Sequence, residues 1–226
     1  MIKGFIETSL IDYPGKICSV LFLGGCNFKC GFCHNPEIVF GSTADISPQV
    51  FFNFIKSKKG WVDSVTITGG EPTIHAKLPE LINSIKSLGL LVKLDTNGTN
   101  PLMLNSLINN KMIDYIAMDI KSPLSSYHKI TNSKVNTELI KQSINLIRGS
   151  GVDYEFRTTI IPSFIDQKGL LEICDLIKGS KKYVLQQYRS FKTLNEEFPK
   201  ESYTINELNN LLKLIKPYFH KVELRA

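Results

Sequence analysis

The chain of 226 residues is 42% hydrophobic and 21% charged, enough to bury a sizeable core in one large domain or two small ones. Its net charge of +6 is spread out, and the densest basic runs (Lys56, Lys58, Lys59 and Lys178, Lys181, Lys182) lack interleaved aromatic residues, so they read as solvated helix ends and weigh against nucleic acid. No apolar stretch approaches the roughly 20 residues of a membrane span, and the acidic residues of MIKGFIETSLIDYPGK argue against a signal peptide, so a cytoplasmic protein with reduced thiols is expected.

In chain order, short β-branched runs alternate with longer helical ones. ICSVLFL (17–23) reads as a strand, and SPQVFFNFIKSK (47–58) as a helix with a serine cap and a proline in its first turn. SVTIT (64–68) is a strand, KLPELINSIKSLG (77–89) a helix stopped by glycine, LLVKLD (90–95) a strand and NPLMLNSLINN (100–110) a helix. DYIAMDI (114–120) is a strand, and an irregular piece covers 121–136. A helix (137–151), a strand (153–161), a helix (166–179) and a strand (182–188) follow, then a loop over 189–203, a helix (204–216) and a short last strand, KVELR (221–225). Six βα units in succession call for parallel strands joined by helical crossovers, in a partial barrel or an open doubly wound sheet. No proline- or glycine-rich linker divides the chain, so residues 1–226 are read as one domain.

In such folds ligands sit at the carboxyl ends of the strands. There the sequence places GGCNFKCGFCHNP after strand 1, GGEP (69–72) after strand 2, DTNG (95–98) after strand 3 and DIKS (119–122) after strand 4. Arg157 lies on strand 5, and strand 6 ends in LQQYR (185–189) with Gln187. An arginine among β-branched residues is costly unless paired, so it either serves the site or belongs to a structural ion pair.

Cys26, Cys30 and Cys33 are spaced C-x3-C-x2-C on a loop. A zinc knuckle needs a second arm, which the chain lacks, and His34 directly after Cys33 makes a strained fourth ligand to the same ion. Cys18 and Cys174 fall within a strand and a helix and read as small buried hydrophobes. Three thiolates suit an iron–sulfur cubane with one iron left open for an outside ligand.

This spacing, with Phe32 before the third cysteine and GGEP downstream, resembles the radical S-adenosylmethionine enzymes. The resemblance implies a partial (β/α)6 barrel and a [4Fe–4S] cluster on Cys26, Cys30 and Cys33. It also implies one-electron cleavage of S-adenosylmethionine to a 5′-deoxyadenosyl radical. It assigns cofactor contacts to Phe32, His34, Gly69, Gly70, Glu71, Asp95, Thr96, Asn97, Asp119, Lys121, Arg157 and Gln187. In this scheme Gly69 and Gly70 let the backbone approach the methionine amino group, Glu71 polarises it, and Lys121 meets the carboxylate. Asp95 and Asp119 hold a monovalent cation beside it, as in the related pyruvate formate-lyase activase. The turn and cap preferences of Gly, Pro, Asp and Asn explain the same residues without a ligand.

Further segments, SLIDYPGK, LDTNG, DYIAMDIK, YEFRTT and YVLQQYR, are similar to the activases of anaerobic (class III) ribonucleoside-triphosphate reductase. That likeness implies a glycyl-radical enzyme as partner and flavodoxin or ferredoxin as electron donor. An activase of another glycyl-radical enzyme, a radical enzyme acting on a small molecule or RNA, and a zinc-bound interaction module are the competing readings.

Overall fold

The computed structural model describes residues 1–226. The strands are β1 (Ile2–Ser9), β2 (Cys18–Leu23), β3 (Ser64–Gly69), β4 (Leu91–Thr96), β5 (Tyr115–Asp119), β6 (Asp153–Ile160), β7 (Lys182–Gln187) and β8 (Lys221–Arg225). The helices are α1 (Pro36–Phe40), α2 (Pro48–Ser57), α3 (Leu78–Lys86), α4 (Pro101–Asn109), α5 (Tyr127–Thr131), α6 (Thr137–Gly149), α7 (Gln167–Leu176) and α8 (Ile205–Ile215). All eight strands join one sheet in the order β1 to β8. β2 through β8 are parallel, and β1 is antiparallel to β2.

The expected six βα units are all present, and the short last strand at 221–225 forms as read. β1, α1 and α5 are additions. β1 escapes a strand pattern because it is an edge strand with an exposed middle, a glycine at position 4 and register shifts against β2. α5 occupies part of the piece expected to be irregular; it is a single turn closed by Asn132 in the left-handed region.

The helices cover one face of the sheet. α3 buries Leu78, Leu81, Ile82 and Ile85, α6 buries Ile140, Ile144 and Ile147, and α8 buries Leu208, Leu211 and Ile215. Each such side chain contributes about 1.5–3 kcal/mol when fully buried. Caps fix where they start: Ser47, Asn100, Asn136 and Asp166 accept from first-turn N–H groups, and Thr204 with Glu207 forms a capping box.

The other face is concave, apolar around Tyr13, Cys18, Val20 and Tyr115 and polar where it opens into cavities. Loop 10–14 after β1 and residues 221–226 at the opposite end of the sheet line one cleft of about 690 Å3, with Lys93, Arg157, Lys182 and Gln186 also on its wall. The sheet is therefore curled, with a lateral gap between its first and last strands. β6 alternates cleanly: Tyr154, Phe156 and Ile160 join the main core, whereas Glu155, Arg157 and Thr159 face the concavity. Fully buried Glu155 receives both terminal nitrogens of Arg225, at 2.7 and 2.8 Å, and Lys182 at 3.0 Å, which binds β8 to the sheet interior. Cys18 and Cys174 are free, buried thiols, as expected. Trp61 is exposed, so it is no core residue.

Candidate cofactor site

At the carboxyl ends of the strands lies a cavity of about 300 Å3. Its wall contains Cys26, Cys30, Cys33, Phe32 and His34 from the loop after β2, and Gly69, Gly70 and Glu71 from the end of β3. β4 and its turn add Asp95, Thr96 and Asn97, β5 and its turn add Asp119 and Lys121, β6 adds Arg157 and β7 adds Gln187. Every site residue expected from sequence is brought to this one cavity. Phe28, Val39, Thr68, Thr159 and Gln186 complete the wall. Strand periodicity offers a signal for one of these: Thr159 stands two residues after Arg157 on the same strand.

The cysteine loop is fixed by backbone contacts rather than by regular structure. Gly25 N–H donates to Ile38 O at 2.8 Å, Lys29 N–H to Thr131 O at 2.9 Å, and Cys33 N–H to Cys30 O at 3.0 Å. α5 is thus the far anchor of the loop. Phe28 packs edge-on against Tyr127, and Phe32 packs near Phe198. A Cβ at Gly31 would fall 2.3 Å from the Phe198 ring, so the loop seats closely on residues 189–203. His34 Nε2 lies 2.8 Å from Arg189 O and is its donor, since a carbonyl only accepts. His34 therefore ties the loop down while lining the cavity.

GGEP forms a turn that only glycine permits. Gly69 has φ +112, and a Cβ on Gly70 would sit 1.8 Å from Gly25 O. Gly70 N–H donates to Leu23 O and Glu71 N–H to Gly25 O, stitching this turn to the start of the cysteine loop. No protein donor reaches the Gly70 carbonyl, which leaves it able to accept from a ligand.

Glu71 is 1% exposed. Its Oε1 accepts from Thr73 N, Thr73 Oγ1 and Thr96 Oγ1, while Oε2 accepts from Asn97 N. Burial raises the carboxyl above its ordinary value, and these donors oppose the rise. Asn97 is similarly committed, with its amide donating to Asn27 Oδ1 at 2.8 Å and its carbonyl oxygen accepting from Thr99. Both residues chiefly bind the loops to one another.

Arg157 sits between two carboxylates: Nε is 2.8 Å from Asp119 Oδ1 and Nη1 is 3.1 Å from Asp95 Oδ2. Lys121 Nζ is 3.0 Å from Asp119 Oδ2 and 5.5 Å from the Phe32 ring centre. Lys93 takes Asp95 Oδ1. Burial disfavours the Asp119 carboxylate, but Arg157 and Lys121 outweigh it and hold the group well below the usual carboxylate range. Burial likewise opposes charge on Lys121, and Asp119 and Cys30 more than restore it. The expected monovalent cation does not fit. Every oxygen of Asp95 and Asp119 already faces a basic nitrogen, and three cations serve two carboxylates.

Burial pushes the Cys26 thiol up to about 11 and the Cys30 thiol up to about 12, with Lys121 pulling both down. No group of three His, Cys, Asp or Glu side chains in the chain is arranged for a single metal ion. The three thiols line the same cavity, and all remain unpaired with one another. This donor set fits an iron–sulfur cluster, whose thiolates stand on separate irons.

The sequence pattern of the Radical SAM superfamily matches residues 20–177, and the chain belongs to that superfamily. The superfamily implies a [4Fe–4S] cluster and S-adenosylmethionine. The chain is 35% identical, over its full length and 96% of the relative, to the "Putative glycyl-radical enzyme activating enzyme" of Methanocaldococcus jannaschii. It is 31% identical to the pyruvate formate-lyase-activating enzyme of Listeria monocytogenes, over 71% of this chain and 69% of that one. Among solved structures, Streptococcus suis SuiB superposes with a TM-score of 0.69 at 16% identity, over 90% of this chain and 47% of SuiB. A domain of the pyruvate-formate lyase-activating enzyme of Bacteroides vulgatus superposes with a TM-score of 0.59 at 19% identity, over 72% of this chain and 99% of that domain. These likenesses establish the α/β partial-barrel fold. No helix is long and apolar enough to cross a membrane.

Proposed function

We propose that this radical S-adenosylmethionine enzyme is a glycyl-radical enzyme activase that abstracts a hydrogen atom from a glycine Cα of a partner polypeptide. The expected partner is anaerobic ribonucleoside-triphosphate reductase, with flavodoxin or ferredoxin as electron donor. The full-length similarity to a protein named for this activity supports the class. The observation that carries the reading is a shared wall: Arg157 and Gln186 line both the cofactor cavity and the lateral cleft. A chain segment lying in the cleft would stand directly beside the cofactor site, as hydrogen transfer over about 3–3.5 Å demands.

With its cluster bound, the site supplies radical chemistry by one-electron cleavage of S-adenosylmethionine. The chain's own groups do the holding. Cys26, Cys30 and Cys33 would hold the cluster, and the free Gly70 carbonyl would accept from the methionine amino group. Lys121 has donors left after its bond to Asp119 and meets the carboxylate as a point charge. Phe32 and His34 wall the pocket.

The cleft suits a polypeptide. Its rim carries Leu10 and Ile11, 72% and 83% exposed, and its far side is β8, an edge strand. The test is anaerobic incubation of the reconstituted protein with S-adenosylmethionine, reductant and candidate glycyl-radical enzymes. A glycyl doublet in the EPR spectrum of the partner, with release of 5′-deoxyadenosine, is expected. Release of 5′-deoxyadenosine stimulated only by a metabolite or RNA, with no protein radical, would overturn the proposal.

A further inference from the structure

Lys93 is a lysine where packing asks for none. It lies in the middle of β4, 2% exposed, on the concave side of the sheet shared by Asp95 two residues on. Below it the concavity is apolar, filled by Tyr13, Cys18, Val20 and Tyr115. A methionine or leucine would fill such a position without the cost of burying an ammonium. The Nζ has one protein partner, Asp95 Oδ1. Asp95 Oδ2 belongs to Arg157, and Asp119 is shared by Arg157 and Lys121. Without Lys93, one oxygen of Asp95 would lack a cation on the side away from the cofactor cavity, which Lys93 itself does not line.

We propose that the Lys93 ammonium is a built-in monovalent cation: it neutralises Asp95 and thereby positions Arg157, so that cofactor binding by this chain needs no free sodium or potassium. Lys93 is a positioning residue, acting through Asp95. The inference rests on the reading that the cavity takes S-adenosylmethionine. It does not depend on which substrate receives the radical.

The test is equilibrium binding of S-adenosylmethionine to the reconstituted protein in sodium, potassium or choline chloride at one ionic strength. Wild type should bind equally in all three. Lys93→Ala should bind about tenfold more weakly in choline, the loss of one hydrogen bond to a charged group, and should recover in sodium or potassium, which enter the vacated space. Lys93→Arg should behave as wild type. Melting of the cluster-free proteins gives a second readout: sodium should raise the melting temperature of Lys93→Ala relative to choline and leave wild type unchanged. A sodium or potassium requirement in wild type overturns the proposal. So does a Lys93→Ala variant that no small cation restores in either measurement. A missing glycyl radical with these binding results intact would instead count against the activase reading alone.

Discussion

Glu71 Oε2 accepts the backbone N–H of Asn97 at 2.6 Å, joining the turn after β3 to the turn after β4. Oε1 gathers Thr73 and Thr96 at the same time. One buried carboxylate thus sets the spacing of two cofactor-lining turns, and through Asn97 and Asn27 it also fixes the cysteine loop. The acid in GGEP is read first as a group for the ligand; its geometry makes it the brace of the site.

Glu71→Ala is therefore expected to destabilise the cluster-free chain by about 3 kcal/mol, because it strands several buried donors. Glu71→Gln keeps the shape but presents an N–H2 group to donors, and should lose nearly as much. Urea denaturation followed by circular dichroism checks both. A loss below about 1 kcal/mol in each would mean that the turns hold without the brace.

Removing Arg157 separates a structural role from a binding one. Arg157→Ala leaves Asp95 and Asp119 facing each other with Lys93 and Lys121 as remaining partners, and should cost about 3 kcal/mol of stability. Arg157→Lys keeps the charge but cannot bridge two carboxylates from Nε and Nη1 together, so it should recover only part of the loss. The same urea titration reads both variants.

The cysteines divide cleanly. Cys26→Ala, Cys30→Ala and Cys33→Ala should each abolish the iron–sulfur absorbance after anaerobic reconstitution. Cys18→Ala and Cys174→Ala should retain it, at a stability cost of about 1–2 kcal/mol for small buried side chains. Iron content per chain and the visible spectrum decide this. Bound zinc without iron would defeat the cluster assignment.

Much of this site was legible because the barrel puts chemistry at one end of its strands. Once the βα alternation was read, GGEP, DTNG, DIK and Arg157 had to lie near the cysteine loop, and all of them line its cavity. What the sequence hid was the inward face. Lys93 in LLVKLD resembles an ordinary solvent-facing strand position, since polarity alone does not distinguish a concave interior from bulk water. Glu155 and Arg225 stand 70 residues apart, and nothing local announces their bidentate bond. Glu71 was hidden differently: half of its donors are backbone N–H groups, which every residue but proline carries. β1 was missed because an edge strand half open to solvent carries little hydrophobic periodicity.

The buried Glu155 gives the fold an acid limit. Burial opposes its ionisation, yet Arg225, Arg157 and Lys182 prevail and hold its carboxyl at about 2, below the ordinary 4.5. A carboxyl depressed by folding stabilises the native state fully above its unfolded value, and that contribution is lost as pH falls from about 4.5 toward 2. Wild type should therefore lose stability steeply over this window. Glu155→Gln should be less stable at neutral pH, and the gap between the two should narrow by pH 2.5. A gap that stays constant would place the protonation elsewhere.

The lateral cleft makes the strongest demand on the proposed activity. Leu10 and Ile11 stand exposed on its rim, away from the residues that line the cofactor cavity. If a partner segment enters there, these two side chains grip it, and replacing both with aspartate removes apolar contact and adds charge. The Leu10→Asp, Ile11→Asp variant should bind its cluster and S-adenosylmethionine as wild type does. Slow 5′-deoxyadenosine release without partner should also persist, while glycyl-radical formation on the partner falls by at least about tenfold, as expected from two lost apolar anchors. Paired measurements of 5′-deoxyadenosine and of the partner's EPR signal separate the two effects. An unchanged radical yield would move the docking surface to another part of the molecule, and a parallel loss of both signals would show that the rim supports the cofactor site rather than the partner.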